Sequence, residues 1–296
     1  MTRTIQLVEL GLGVEGMALM RGLFEDDQVS VERRLGEIRR FVAEADRPPL
    51  SLALDFPERS VADGYAAWAA TYDAMPNALI DAEQLVVTEL LAGLPKGRAL
   101  DAACGTGRLT ELLVAAGHDA LGVDGSPEML EVASRRLPEA TFRNGALHDL
   151  PVADGEFDLV TCGLALSHLQ DLSPAVAELA RVTKRGGRLI LTDMHPIGVA
   201  FAGQAAYQGA DGSWGFVRNH FHTHSHYLDA FSEAGLGVRR CVEPAHTAAT
   251  ADLVPSATVA REATHSALIG LPIALIWDLV RPENGHSSPA EPLRSG

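Results

Sequence analysis

The chain has 296 residues, 47% of them hydrophobic, and carries a formal net charge of −15. That apolar content fills a core for one large α/β domain or a domain with appendages, and no stretch is long and apolar enough to span a bilayer. The acidic balance argues against nonspecific nucleic-acid binding, which needs clustered Lys and Arg; basic residues such as Arg33, Arg34, Arg39 and Arg40 belong to amphipathic helices.

Residues 5–46 read as two helices. Leu7, Leu10, Val14, Met17 and Met20 recur at helical spacing in the first, and Leu35, Ile38 and Val42 in the second. The run MTRTIQLVELGLGVEGM lacks the basic start, long apolar stretch and small-residue cleavage site of a signal peptide. Paired prolines in DRPPL (46–50) end the helices, since they cannot continue one. A second amphipathic pair follows in DGYAAWAATYDAM and NALIDAEQLVVTELLAGL.

From Gly97 strands alternate with helices. RALDAA, DALGVD, ATFRNG, FDLVTCG and GRLILTDM are strand candidates, separated by the helical TELLVAAG, PEMLEVASRRL and SPAVAELARVT. Such alternation predicts a parallel sheet covered on both faces. A polar, glycine- and histidine-rich stretch, 195–226, interrupts it. Helix HYLDAFSEAG, strand GVRRCVEP, a helix around 255–268 and strand PIALIWDLVRP follow, before a polar tail, 282–296, expected to be disordered. Cys104, Cys162 and Cys241 are too few and too scattered for a disulfide framework and read as reduced thiols in a cytoplasmic protein.

The segment LDAACGTGRLT, Leu100 to Thr110, carries the most chemistry. A buried strand ends near Asp101, glycines at 105 and 107 admit a close ligand, and the next helix points unpaired amides at the same place. This cradles a nucleotide-like ligand. A dinucleotide site wants G-x-G-x-x-G, but the turn reads A-C-G-T-G-R and begins with an acid. Asp101 disfavours a pyrophosphate and suits a cationic ligand such as S-adenosylmethionine; an NAD-dependent oxidoreductase is the weaker alternative.

With LDAACGTG, GVDGSPEML, LPVADGEFDLVTCGLALSHL and RVTKRGGRLILTD in this order, residues 61–281 resemble a class I S-adenosylmethionine-dependent methyltransferase of the UbiE-like branch. The resemblance implies a Rossmann-like, seven-stranded, mostly parallel sheet with helices on both faces. Residues 1–60 would be a helical extension, with lid insertions near 195–226 and 244–268. It implies that Asp101 orients the methionine amino group, that Gly105 and Gly107 lie under the methionyl and ribose portions, and that Asp124 accepts both ribose hydroxyls. Met129 would cover the adenine, Tyr65 and Tyr72 would lie over the cofactor, and Gly125 and Cys162 would complete its surroundings. Two positions depart from the pattern. Ala103 replaces the usual first glycine, and Gly145-Ala146-Leu147 lacks the acid that receives the adenine amino group, leaving the Leu147 amide, with His148 or Asp149, to compensate.

A methyl acceptor that carries a proton needs a base near the carboxyl ends of the strands. That selects His168, His195 and the run HFHTHSH, with His220, His222, His224 and His226. His195 and His224 lead, and His168 fits packing and hydrogen bonding. Histidines alternating on one face make metal ligation conceivable, but no Cys or acidic cluster lies near them in sequence, so no metal is assigned. Cys104 and Cys162 read as small buried residues, not nucleophiles. Trp214, Phe216, Phe221 and Tyr227 would give a lid suited to a flat or greasy small molecule, and the amino-terminal helices would cap the pocket or mediate a homodimer. The expected partners are S-adenosylmethionine and a small-molecule acceptor, with no nucleic acid and no membrane. A quinone or lipid precursor is the alternative acceptor, and a cofactor-binding protein that transfers no methyl is the alternative class.

Overall fold

The computed structural model describes residues 1–283; the remaining residues of the polar tail, 284–296, lie outside the described part. The chain opens with β1 (Thr2–Gln6), α1 (Leu7–Arg21), α2 (Gln28–Glu44) and β2 (Ala53–Arg59). α3 (Val61–Trp68) and α4 (Ala78–Ala92) lead into the alternating region. There β3 (Arg98–Ala102), α5 (Arg108–Ala115), β4 (Asp119–Asp124), α6 (Pro127–Arg136), β5 (Thr141–Asn144), β6 (Phe157–Gly163), α7 (Ser173–Val182) and β7 (Thr183–Met194) follow in turn. The carboxyl-terminal part adds α8 (Pro196–Ala200), β8 (Ala205–Gln208), β9 (Trp214–Val217), α9 (His224–Glu233), β10 (Gly237–Val242), α10 (Ala248–Asp252), α11 (Ala257–Leu268) and β11 (Ala274–Val280). Among the described residues, no helix is long and apolar enough to cross a membrane.

Seven strands form the main sheet in the order β10-β11-β7-β6-β3-β4-β5. β11 runs antiparallel to both of its neighbours, and the pairs from β7 to β5 are parallel. Both faces are buried, as a parallel sheet requires. Leu100, Val160 and Leu189 face α7 and α9, while their neighbours Ala99, Leu159 and Ile190 face α4 and α5. From β3 the chain builds outward through β4 to β5, then crosses back to β6 and β7. The loops after β3 and β6 therefore diverge, and a crevice opens at the carboxyl ends of these strands.

The expectation that residues 1–60 are purely helical is corrected by β1 and β2. These pair antiparallel from Thr2↔Pro57 to Gln6↔Ala53, and β2 runs parallel to β9 through Glu58↔Phe216 and Arg59↔Val217. The result is a second sheet, β1-β2-β9-β8, that joins the amino terminus to the histidine-rich insertion. Neither strand shows apolar alternation, because β1 is mostly exposed and the partner of β2 lies far along the chain. The packed face of α2 also differs from the Leu35–Ile38–Val42 stripe. Arg34 and Phe41 are its buried residues; Arg34 donates to Ser266 at 2.7 Å, and Phe41 lies against Gly11 of α1.

α3 is held on this second sheet at a glycine. A Cβ at Gly64 would collide with Val217 Cγ2 of β9. Alanine there gains helix propensity but overpacks the contact, so Gly64→Ala should destabilise the protein by about 1–2 kcal/mol. In denaturant titrations the double change with Val217→Ala should cost less than the sum of the two single changes.

Candidate functional site

After β3 the chain turns through residues 103–107 into α5. Ala103 (φ 57°), Gly105 (φ 52°) and Gly107 (φ 84°) are all left-handed. An L-residue in that conformation costs about 1–2 kcal/mol, so Ala103 stores strain where glycine would store none. A Cβ at Gly105 would meet nothing within 4 Å, which places this residue against open space. A Cβ at Gly107 would instead lie 3.3 Å from Ala133 of α6. Gly107 serves the turn and its packing.

Beside the turn lies a cavity of about 390 Å³ at the crevice between the diverging strands. Tyr65, Tyr72, Asp101, Ala103, Gly105, Asp124, Gly125, Ala146, Leu147 and His168 all line it, as does His148. Gly107, Met129 and Cys162, expected to touch the ligand, are not among its lining residues. Met129 and Cys162 are fully buried: Met129 shares the inward side of α6 with Ala133, and Cys162 belongs to the core against β7.

Charge dominates the cavity. Asp101, 1% exposed, accepts from Thr110 Oγ1 at 2.7 Å and Thr161 Oγ1 at 2.9 Å. Burial pushes its carboxyl up to about 6 even though these donors pull it down. Asp124 accepts from the backbone amides of Gly105 and Ser126, each at 2.8 Å, and burial raises its carboxyl too. Two further residues escaped sequence reading. Arg108, the first residue of α5, lines the cavity and pairs at 2.6 Å with Glu83 of α4, a wholly buried acid that also accepts from Thr192 Oγ1. Among the described residues, Arg108 Nη1 is buried without a hydrogen-bond partner. The only sequence signal was an acid inside the apolar run of α4.

The two tyrosines form an aromatic wall. Tyr65 and Tyr72 stand 6.2 Å apart between centroids, and Trp68 bridges them from 4.8 Å off Tyr72. Burial pushes the Tyr72 phenol up to about 12 and Tyr65 well above its usual value, so both stay protonated near neutrality. Tyr65 donates to His168 Nε2 at 2.7 Å. His168 Nδ1 lies 2.9 Å from the Arg218 carbonyl, which can only accept, so Nδ1 holds the ring proton and Nε2 is the free base. Burial lowers the His168 imidazole, which keeps it neutral. Asp73, just past Tyr72, accepts from Thr106 Oγ1 at 3.1 Å and so ties this wall to the glycine turn.

The other expected bases lie elsewhere. His195 and His224 do not line the cavity; they meet at Glu243, 2.8 Å and 2.9 Å from its Oε1. The reason is local: His195 caps α8 by accepting from Ile197 N, and His224 begins α9, so neither continues the strand that points at the crevice. The aromatics expected in the lid also differ. Tyr227 is a core residue that donates to Asp193 at 2.9 Å, Trp214 packs on Phe56 in the second sheet, and Phe221 is half exposed.

Because folding raises the Asp101 carboxyl from 3.8 to about 6, its ionised form costs about 3 kcal/mol in the free protein. This penalty is absent below the unfolded value, develops as pH rises from 3.8 to about 6 and is complete above that. Asp101→Asn should therefore stabilise the ligand-free protein by about 1–3 kcal/mol at pH 7.5, and the gain should shrink towards pH 4. Urea denaturation of both proteins at several pH values checks this.

A family model described as a methyltransferase domain matches residues 100–191. A demethylmenaquinone methyltransferase of Renibacterium salmoninarum is 39% identical over 112 residues, 38% of this chain and 47% of that protein. The chain spans about half the length of the curated relatives it matches first. Among solved structures, a Mesorhizobium loti S-adenosylmethionine-dependent methyltransferase superposes with TM-score 0.52 at 23% identity, over 68% of this chain and 98% of that one. A chain of the complex between the Haloferax volcanii Trm112 methyltransferase activator and the putative methyltransferase reaches TM-score 0.57 at 24% identity, over 77% and 100%. Residues 100–191 thus match a methyltransferase domain model, and the chain shares the fold of these solved methyltransferase structures.

Proposed function

We propose that this protein transfers a methyl group from S-adenosylmethionine to a small-molecule acceptor. The observation that carries the reading is the pairing of opposite charges in one cavity. Asp101 offers a buried carboxylate to an ammonium, and Arg108 Nη1 offers a buried, unpartnered donor to a carboxylate. An amino-acid head group presents both. Asp124 supplies carboxylate oxygens for ribose hydroxyls, and Gly105 leaves open space above the turn. These residues fit the methionine and ribose portions of the cofactor. When bound, S-adenosylmethionine supplies an electrophilic methyl on a sulfonium, ready for displacement.

The chain's own part is to hold, exclude water and manage one proton. Tyr65 and Tyr72 shield the cavity, and their raised phenols keep the wall uncharged beside a cation. His168 Nε2 is unprotonated and lines the same space, so it is the group placed to take a proton from an acceptor hydroxyl or amine. For that, the acceptor must take over the hydrogen bond now made by Tyr65.

A lipophilic acceptor, such as a quinone or lipid precursor, is favoured by a second cavity of about 540 Å³ at the carboxyl end of β7. Leu10, Val14 and Met17 of α1, with Met194, Ile197 and Leu271, give it an apolar lining suited to a tail.

Calorimetry should show saturable binding of S-adenosylhomocysteine at one site per chain. Asp101→Asn should weaken it by about tenfold to a hundredfold, the worth of a charge-assisted hydrogen bond. For the unmodified protein, affinity should fall below about pH 6, because a protonated Asp101 must lose its proton to meet an ammonium. Absence of binding would remove the proposal.

Transfer itself is tested with methyl-labelled cofactor and a panel of polar phenols, prenylated quinols and amines. Product should form on at least one class, and His168→Ala should lower turnover about a hundredfold or more on an acceptor that must lose a proton. Cofactor binding with no product across the panel would favour a protein that binds the cofactor without transferring methyl.

A further inference from the structure

The histidine-rich run has no acidic cluster close to it in sequence, and the fold brings Glu243 to it. Glu243 lies one residue past β10, and its Oε1 stands 2.8 Å from His195 Nε2 and 2.9 Å from His224 Nε2. The three ligand-capable atoms lie within 4.8 Å of one another. They come from the end of β7, the first residue of α9 and the end of β10, so the secondary structure fixes their backbones. His195 is 8% exposed, whereas His224 and Glu243 are 41% and 43% exposed and open to an entering ion.

We propose that His195, His224 and Glu243 bind a divalent first-row transition-metal ion. Two imidazoles and one carboxylate form a mixed nitrogen and oxygen donor set, and three protein ligands leave further positions for water. Donor atoms at about 2.0–2.2 Å from an ion stand about 2.8–3.1 Å apart at octahedral angles and about 3.3–3.6 Å apart at tetrahedral ones. The contacts of Oε1 with the two imidazoles already suit the first, and a tetrahedral ion asks Oε1 to withdraw by about half an ångström. The exposed Glu243 and His224 side chains have room for this.

Both imidazole–Glu243 hydrogen bonds give way to metal–ligand bonds, and one further contact changes. Ile197 N donates to His195 Nδ1 at 3.1 Å, so without metal the ring proton sits on Nε2 and points at Glu243. An ion at Nε2 requires the other tautomer. The proton moves to Nδ1, the Ile197 contact is lost, and no proton leaves His195. The loss is this hydrogen bond at the start of a five-residue helix and the two imidazole–Glu243 hydrogen bonds, against three metal–ligand bonds gained. The ion would cross-link β7, α9 and β10 on residues that do not line the cavity beside Asp101, so cofactor binding does not depend on it.

The test uses the full chain after chelator treatment, titrated with Zn²⁺ by calorimetry and with Co²⁺ by visible absorption. The expected result is one ion per chain with Kd below about 10 µM, a Co²⁺ ligand-field band and a metal-dependent rise in Tm. Glu243→Ala and His224→Ala should each weaken Zn²⁺ binding by about a hundredfold or more, beyond what an outer hydrogen-bond partner of a metal ligand contributes. Both variants alter exposed side chains and should keep the circular dichroism spectrum and S-adenosylhomocysteine affinity of the parent. Weak, unsaturated binding by the parent overturns the proposal. So does equal affinity in parent and variants, which would place the ion on other histidines.

Discussion

Asp101 sits near the end of β3 with almost no contact with water, and among the described residues two threonine hydroxyls are its side-chain donors. An ionised carboxylate so placed is costly. Its surroundings add to the cost, because Asp124 and Glu83 are also buried acids near the same cavity, with Arg108 as the cation paired to Glu83. Three acids against one arginine leave an excess of two negative charges. A ligand with net positive charge lowers the energy of the whole group. S-adenosylmethionine, with an ammonium and a sulfonium against one carboxylate, has that sign, and a pyrophosphate has the opposite one. The same desolvation that weakens the free protein thus selects the ligand.

Backbone strain is concentrated at this place too. Among the described residues, Ala103, Leu164 and Ala202 are the non-glycine positions with positive φ, and the first two line the cavity. Each is about 1–2 kcal/mol above a relaxed conformation. Ala103 lets the turn fold back so that Cys104 N reaches Val123 O at 3.0 Å, which draws the ends of β3 and β4 together. Leu164 does the equivalent after β6, where its amide reaches Thr192 O at 2.9 Å. The strained residues flank the crevice from both sides, and their cost fixes the separation of the loops that hold the ligand.

The main sheet was readable because its inner strands β3, β4, β6, β7 and β11 carry apolar residues on both faces. All seven strand candidates occupy that sheet. Asp101, Asp124 and the tyrosines were legible for a related reason, since local motifs place them at strand ends or on one helix face. What local pattern could not supply was any pairing made across the chain. β1 and β2 have no apolar rhythm, and β9, which pairs with β2, comes from the insertion. Glu83 looks like the polar side of an amphipathic helix until Arg108 and Thr192 are brought to it. His195 and His224 follow the same pattern: they meet at Glu243, which no spacing rule connects to them.

The histidine-rich run has a further task that its composition disguises. Between Arg218 and His222 it lies along the turn at 166–169 and bonds to it step by step. The Arg218 carbonyl accepts from His168 Nδ1, His220 N donates to Ser167 O at 2.6 Å, and His222 Nε2 donates to Leu169 O at 2.8 Å. Arg218 is in turn fixed to Glu58 of β2 by two contacts of 2.7 Å. An exposed pair of this kind adds at most about 1 kcal/mol of stability. Its consequence for the site is larger than that figure, because the carbonyl it helps to place decides which nitrogen of His168 carries the proton. Were that carbonyl displaced, the imidazole could present N–H to the cavity in place of a lone pair. The second sheet, built from segments outside residues 100–191, therefore sets the protonation geometry at His168, one of the two histidines that line the cavity.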